Sequence, residues 1–552
     1  MTSPVSRDQP ASSLKTAAGD LARTLVAHDV TTVYCLPGEE TITLLQAIAD
    51  VGIDLVVTRH EQHAAFMAAA HGRFTGSPGV VVTTLGPGFT NTLTGLAQAS
   101  LCGFPVVAIC GQKPVRKNSE GSFQVLDLPA IAQPVAKWAH AITDPRTVAA
   151  DTARALSVAT APRPGPAVLE FPEDIAGQPG HLQQVPPPAT GDQPIASPAQ
   201  LQRVRSLLTK ARTPVVLAGA GTQLDDVPNA LDEFATATGI GVLASQMGKG
   251  ALAEDHPRSL RAMSLNTADI ATTPLEEADL IIAVGFQPVE HPPSSFNPDD
   301  SKQIIHVDTA SPEIERHYQP DEVVRGDIAA TLRALAAGEH PEAEDRAERS
   351  ESQRALIESR LEAEGRPPSY PPSAHTIATT LRSLLDRDDI VALDNGAYKV
   401  WFARHYAALA PNTLVLDNAL ATMGAGLATA MVAARLNPNR KVVAVCGDGG
   451  FMMNLQDLET ARRIGLDNLT VVVLNDDTYG FIAWHQDEQG HQRTAVDVTN
   501  PDFVALAGAF GIAARRVEDT DDLHAELADA IDSGQLNLVV CPLDQQRNGE
   551  LK

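Results

Sequence analysis

Residues Lys441–Gly480 read KVVAVCGDGGFMMNLQDLETARRIGLDNLTVVVLNDDTYG. The apolar run Val442–Cys446 stops at Gly447-Asp448-Gly449-Gly450. A helical spacing of Leu455, Leu458, Ala461 and Ile464 follows, and a second apolar run, Leu469–Leu474, stops at Asn475-Asp476-Asp477. This is the pattern of a βαβ unit, whose two strands run parallel and end at the same edge of a sheet. Asp448 and Asp476 therefore emerge side by side. Oxygen ligands converging there suit a hard octahedral ion such as Mg²⁺, which keeps phosphate oxygens in its shell. The glycines around Asp448 let backbone N–H groups approach those phosphates. A solvated strand-end carboxylate is the plainer alternative for either acid taken alone. The pair at adjacent strand ends favours a metal–diphosphate.

The rest of the chain repeats this alternation. At 552 residues it exceeds a single core, and about three domains is the natural division. Apolar runs at Val30–Leu36, Leu55–Thr58, Gly79–Thr84 and Val106–Cys110 alternate with helical patterns, as do Val215–Ala218, Ile281–Val284 and Ile304–Val307 further on. Two polar breaks separate the regions: the Pro/Gly/Gln-rich Gly177–Pro198, and Glu339–Pro372, a charged helix-like run ending in RPPSYPP. The reading is α/β, with three doubly wound parallel-sheet domains at 1–180, 198–338 and 370–552.

Composition excludes several classes. The formal charge of −26 argues against nucleic acid or an anionic membrane as partner. No apolar run is long enough to span a bilayer, and the polar opening MTSPVSRDQPASS lacks a signal-peptide core. The five cysteines (Cys35, Cys102, Cys110, Cys446, Cys541) show no metal or disulfide spacing and are expected reduced and buried, in a cytoplasmic protein.

Gly-Asp-Gly, a helix of fixed length and then Asn-Asp resembles the Mg²⁺–thiamine diphosphate motif of thiamine-dependent enzymes. The 28-residue separation of Asp448 and Asp476 is one residue longer than that motif usually has, and the extra residue is placed near Asp467-Asn468. The resemblance implies that Asp448, Asp476 and the carbonyl of Thr478 bind the metal, with Gly447, Gly449, Gly450 and Tyr479 beside the cofactor. It also implies the family's three domains: pyrimidine-binding, middle and diphosphate-binding. The first domain should supply a carboxylate that shares a proton with the cofactor's pyrimidine ring. Such a group belongs at a strand end, partly desolvated. DLVVTRHEQHAAFMAAAHGRFTG, beginning at Asp54, offers Glu61 at the start of an Ala-rich helix. By itself Glu61 would read as a helix-dipole partner. With RHEQ, then TG-x-x-GV and GPG-x-TN, the stretch resembles the acetolactate synthase branch, and Glu61 is the principal catalytic candidate.

Other segments match the family in turn. Gly86-Pro87-Gly88-Phe89-Thr90-Asn91 resembles the glycine-rich loop beside the pyrimidine, with Gly86 and Asn91 as contacts; its alternative is an ordinary strand-to-helix turn. Leu393-Asp394-Asn395-Gly396-Ala397-Tyr398 resembles the loop at the diphosphate, through Gly396, Ala397 and Tyr398, although the family more often has Gln or Ser followed by His there. Ala421-Thr422-Met423-Gly424 resembles the segment whose carbonyl (Ala421) meets the amino group of the cofactor and whose apolar side chain (Met423) wedges it; simple packing is the alternative for Met423. Phe123 and Gln124 match a Phe-Gln pair bordering the reacting centre, with Gln124 catalytic. Lys137, Trp484 and His485 complete the expected substrate pocket.

In such enzymes the cofactor attacks a 2-oxoacid, CO₂ leaves, and the remainder meets an acceptor. Whole-chain resemblance, from about Leu14 through EEADLIIAVGFQPVE in the middle domain to the tail CPLDQQRNGEL, points to condensation of two pyruvates into 2-acetolactate. A different acceptor (as in carboxyethylarginine synthase or sulfoacetaldehyde acetyltransferase), a decarboxylase, or a non-catalytic subunit are the alternatives. Gln287 stands where amino-acid-biosynthetic acetolactate synthases carry Arg, and His485 where they carry Trp. Both departures lean toward the FAD-independent, catabolic-like type. Gly219-Ala220-Gly221 hints at a dinucleotide loop but lacks the third glycine and the later acid, so FAD is not favoured. The cofactors implied are thiamine diphosphate and Mg²⁺, and the assembly a homodimer or homotetramer.

Overall fold

The computed structural model describes residues 12–117, 121–187, 195–263, 270–365 and 369–544. The polar N-terminal opening, part of the first linker, Arg366–Pro368 and the C-terminal tail lie outside the described residues. The chain forms two compact units, one running to Gly191 together with Glu459–Ile464, the other comprising the remainder.

The first unit holds a six-stranded sheet of β1 (Thr32–Cys35), β2 (Asp54–Val57), β3 (Gly79–Thr83), β4 (Val106–Gln112), β5 (Trp138–Ala141) and β6 (Pro166–Pro172), in the order β2-β1-β3-β4-β6-β5. Every pairing is parallel. The second unit holds two more such sheets. The middle one contains β7 (Pro214–Ala218), β8 (Gly241–Ala244), β9 (Ser259–Ala262), β10 (Leu280–Val284), β11 (Gln303–Asp308) and β12 (Glu322–Arg325), in the order β12-β11-β10-β7-β8-β9. The last contains β13 (Ile390–Leu393), β14 (Leu414–Val415), β15 (Val442–Gly447), β16 (Leu469–Asn475), β17 (Ala513–Arg516) and β18 (Asn537–Pro542), in the order β14-β13-β15-β16-β18-β17. First and last sheets thus share one strand order, while the middle sheet has the order of a dinucleotide-binding fold.

Helices cover both faces of each sheet, which is why the strands read as unbroken apolar runs. In the middle sheet Val216, Val242, Ile282 and Ile305 enter one core and Val215, Leu243, Ile281 and Ile304 the other. Each predicted strand forms within two residues of its expected ends. The charged run after Glu339 is not a simple break: Ala343–Ala363 is a helix packed on the middle sheet. Arg346 donates to the Leu208 carbonyl and Ser350 to that of Gly239. All five cysteines are buried and unbridged, consistent with their apolar settings. Among the described residues no helix is long and apolar enough to cross a membrane.

Candidate active site

The carboxyl edge of the last sheet carries a cavity of about 520 Å³. It lies where the strand order reverses between β13 and β15, the place where an open parallel sheet leaves a crevice. Asn395, Gly396, Ala397 and Tyr398 come from the β13 loop, and Gly447–Gly450 from the β15 loop. Ala421 and Met423 precede the helix Ala425–Leu436, and Asp476, Thr478 and Tyr479 follow β16. All the residues expected at the diphosphate end therefore line one cavity. Ala421 holds φ +53°, a conformation rare for a residue with a side chain, at the cavity surface.

Asp448 is buried at the start of a short helix. Its Oδ2 accepts from the Asp476 N–H (3.1 Å), the Asp477 N–H (2.8 Å) and the Asn500 side-chain amide (2.7 Å), and its Oδ1 from the Gly449 N–H (2.7 Å). Burial pushes the Asp448 carboxyl up. Asp476 is pushed up to about 7, by burial first and by the Asp448 charge second. Two buried acids, one of them raised further by the charge of the other, are relieved by a cation. Among the described residues no cluster of three or more His, Cys, Asp or Glu side chains is poised to hold a metal. A set of two carboxylates and the Thr478 carbonyl instead suits Mg²⁺, which keeps positions open for phosphate oxygens and water. The residues present fit the expected ion.

Tyr398 lines the cavity and also supports a neighbouring loop. Its hydroxyl accepts from the Gly447 N–H at 3.0 Å, and its ring packs where a Cβ on Gly396 or Gly447 would lie 2.5 or 3.0 Å away. Tyr398 therefore walls the cavity and buttresses the Gly-Asp-Gly loop. Asp394, unassigned by the sequence reading, is fully buried below it, and both its oxygens accept from the Gly424 N–H at 2.9 Å. That fixes the Met423 segment. Burial pushes the Asp394 carboxyl up to about 6. Phe481 and Ile482, from the first turn of the helix Gly480–Glu488, also line the cavity. Trp484 and His485 sit further along that helix, in a ring cluster with Phe481, and do not line this cavity.

In the first unit, Glu61 opens the helix Glu61–Thr75, with His60 as N-cap accepting from the Gln62 N–H and Gly76 at φ +68° closing the helix. Glu61 is buried, and the Asn91 side-chain amide donates to its Oε2 at 2.9 Å. A Cβ on Gly88 would lie 3.5 Å from Glu61 Oε1. The Gly86 loop thus rests on the carboxylate. Gly86 itself, at φ +50°, leaves room for the Gln124 main chain, whose carbonyl oxygen a Cβ there would approach to 2.6 Å. Gln124 is brought beside this loop; Phe123 is 76 % exposed and not a core aromatic. Lys137 does not join them. It precedes β5 at the opposite edge of the sheet, and its ammonium donates to the Val158 and Ala161 carbonyls at the end of the helix Val148–Thr160. Those carbonyls hold the cation at the helix C-terminus, so the pocket role expected of Lys137 is corrected.

The middle-sheet crevice is filled from within. Gly219 and Gly221 pack against the Gly285–Phe286 backbone, with hypothetical Cβ atoms 2.3 and 2.9 Å from it. The Ala220 N–H, where a dinucleotide phosphate would sit, donates instead to Glu290 Oε2 at 2.9 Å. Ser245 and the Gln287 N–H donate to the same carboxylate, which burial pushes up to about 7. The Gln287 side chain donates to Asp308. A flavin phosphate does not fit this loop as it stands.

Comparison with known proteins agrees with this geometry. Sequence profiles described as the N-terminal TPP binding domain, the central domain and the C-terminal TPP binding domain of thiamine pyrophosphate enzymes match residues 15–131, 201–335 and 394–541 in that order. The chain is 31% identical to an acetolactate synthase of Bacillus subtilis (strain 168), over 95% of this chain and 92% of the relative. It is 32% identical to the acetolactate synthase isozyme 2 large subunit of Escherichia coli (strain K12), over 95% of each. A catabolic acetolactate synthase of Raoultella terrigena is 31% identical, over 95% of this chain and 94% of the relative. Identity does not separate the catabolic from the isozyme relative.

Proposed function

The chain belongs to the thiamine pyrophosphate enzyme family and is an acetolactate synthase-like transferase, and on that premise we propose that it condenses two pyruvate molecules to 2-acetolactate with loss of CO₂. The observation that carries this reading is the cavity in which Asp448, Asp476 and Thr478 face Gly396–Tyr398 and Met423. Bound thiamine diphosphate supplies the carbon nucleophile and the electron sink for decarboxylation. Asp448, Asp476 and the Thr478 carbonyl would hold Mg²⁺, which would neutralise the charge of the diphosphate. Glu61, oriented by Asn91, holds and returns a proton at its carboxylate. Met423 and Ile482 make the wall apolar, which excludes water from the reacting carbon. In the middle domain the Ala220 amide is already taken by Glu290, which supports a reaction run without a flavin. The active unit is at least a homodimer, as expected for chains in which the Glu61 and Asp448 faces of one site come from different subunits.

The test is product analysis on purified protein with thiamine diphosphate, Mg²⁺ and pyruvate, without FAD. CO₂ release with acetolactate, detected as acetoin after acid treatment, is expected. CO₂ with acetaldehyde identifies a decarboxylase, and no turnover of pyruvate overturns the substrate. The departures at Gln287 and His485 leave a second reading in which the acceptor is another 2-oxoacid. Mixed-substrate assays with 2-oxobutyrate separate it from the first.

A further inference from the structure

The loop that carries the metal-binding set is laced to a strap of chain well downstream. The Tyr479 N–H donates to the Val496 carbonyl (2.9 Å), the Thr478 hydroxyl to the same carbonyl (3.0 Å), and the Val498 N–H to the Asp477 carbonyl (3.0 Å). Thr478 and Asp497 form an isolated antiparallel bridge. This lacing delivers Asn500, 52 residues after Asp448 in the chain, onto the acids. The Asn500 amide nitrogen donates at 2.7 Å both to Asp448 Oδ2 and to Asp477 Oδ1, using its two protons. Asp477 is held at φ +54°.

Asp448 Oδ2 thereby receives three N–H donors, two from the β16 loop and one from Asn500. An oxygen so occupied has little capacity left for a cation, whereas Oδ1 receives one such donor, Gly449. We propose that Asn500 is a positioning residue of the metal centre: it clamps Oδ2, presents Oδ1 to the cation, and locks the Asp476–Thr478 loop through Asp477. Partners that orient a ligating carboxylate in this way contribute substantially to metal affinity. The proposal rests on the reading of Asp448 as a metal ligand.

The experiment titrates Mn²⁺ into the full-length protein with thiamine diphosphate present, following free ion by electron paramagnetic resonance. Wild type, Asn500→Ala and Asp448→Ala are compared. Asn500→Ala is expected to weaken Mn²⁺ by about 10- to 100-fold, with turnover recovering as the ion is raised to saturation. Asp448→Ala is expected to abolish binding. If Asn500→Ala binds Mn²⁺ like wild type while Asp448→Ala does not, the positioning role falls and the metal site stands. If Asp448→Ala binds like wild type, the metal reading falls and takes the proposal with it. Circular dichroism checks the fold. Should Asn500→Ala not fold, Asn500→Leu, which keeps the bulk and removes both donors, is used, and an unchanged affinity there overturns the proposal equally.

Discussion

Two carboxylates divide the work at this scale, and each has its own test. Replacing Asp448 by Ala removes the acceptor that organises the β16 loop, and cofactor retained on a desalting column in Mg²⁺ should be lost. Glu290 behaves differently, because it serves the fold. Its carboxyl is pushed to about 7 from an ordinary 4.5. Between those values the folded chain keeps a proton that the unfolded chain has released, so stability falls as pH rises through this window. The loss above pH 7 is of order 3 kcal/mol at most. Glu290→Gln should flatten the difference between urea midpoints at pH 5 and pH 8; an unchanged difference would sink the assignment. Asp448 and Asp476 were legible because each stands within two residues of the end of an apolar run, so strand direction places both at one edge, whereas Glu61 was singled out by the resemblance of its stretch to the family. Asn500 left no such trace, since an Asn in a loop announces neither its partner nor its distance. Lys137 was misplaced because matching by sequence ignores which end of a strand a residue occupies.

At the level of elements, close approaches set what the site tolerates. Gly450 lies on Asp394, whose Oδ2 a Cβ would meet at 2.2 Å. Gly450→Ala should therefore displace either the Asp448 helix or the Met423 segment, at about 1–3 kcal/mol, read as a lower urea midpoint with weakened cofactor retention. A midpoint and retention equal to wild type would show that the two segments are not coupled through Asp394. Of the eighteen strands among the described residues, nine were read from the sequence, those whose burial on both faces leaves an apolar run, while strands such as Trp138–Ala141 and Ala513–Arg516 carry aromatic or charged side chains. The helix Ala343–Ala363 was not recognised as packed. Its contacts with the sheet run partly through Arg346 and Ser350 bonded to main-chain carbonyls, and such burial looks polar in sequence.

For the molecule as a whole, the same strand order in the first and last sheets places Glu61 and the Asp448–Asp476 pair each at a carboxyl edge. The proposed reaction needs both edges at one cofactor. Light scattering should give at least twice the 58.4 kDa of one chain, and an active species of one chain's mass would refute the homodimer. The central claim, that Glu61 activates a cofactor anchored by Asp448 and Asp476, is tested most directly by proton–deuterium exchange at C2 of bound thiamine diphosphate. Wild type should exchange far faster than the free cofactor, and Glu61→Gln should bind it with similar affinity yet exchange at least about 100-fold more slowly than wild type. Equal exchange in wild type and Glu61→Gln would contradict the account.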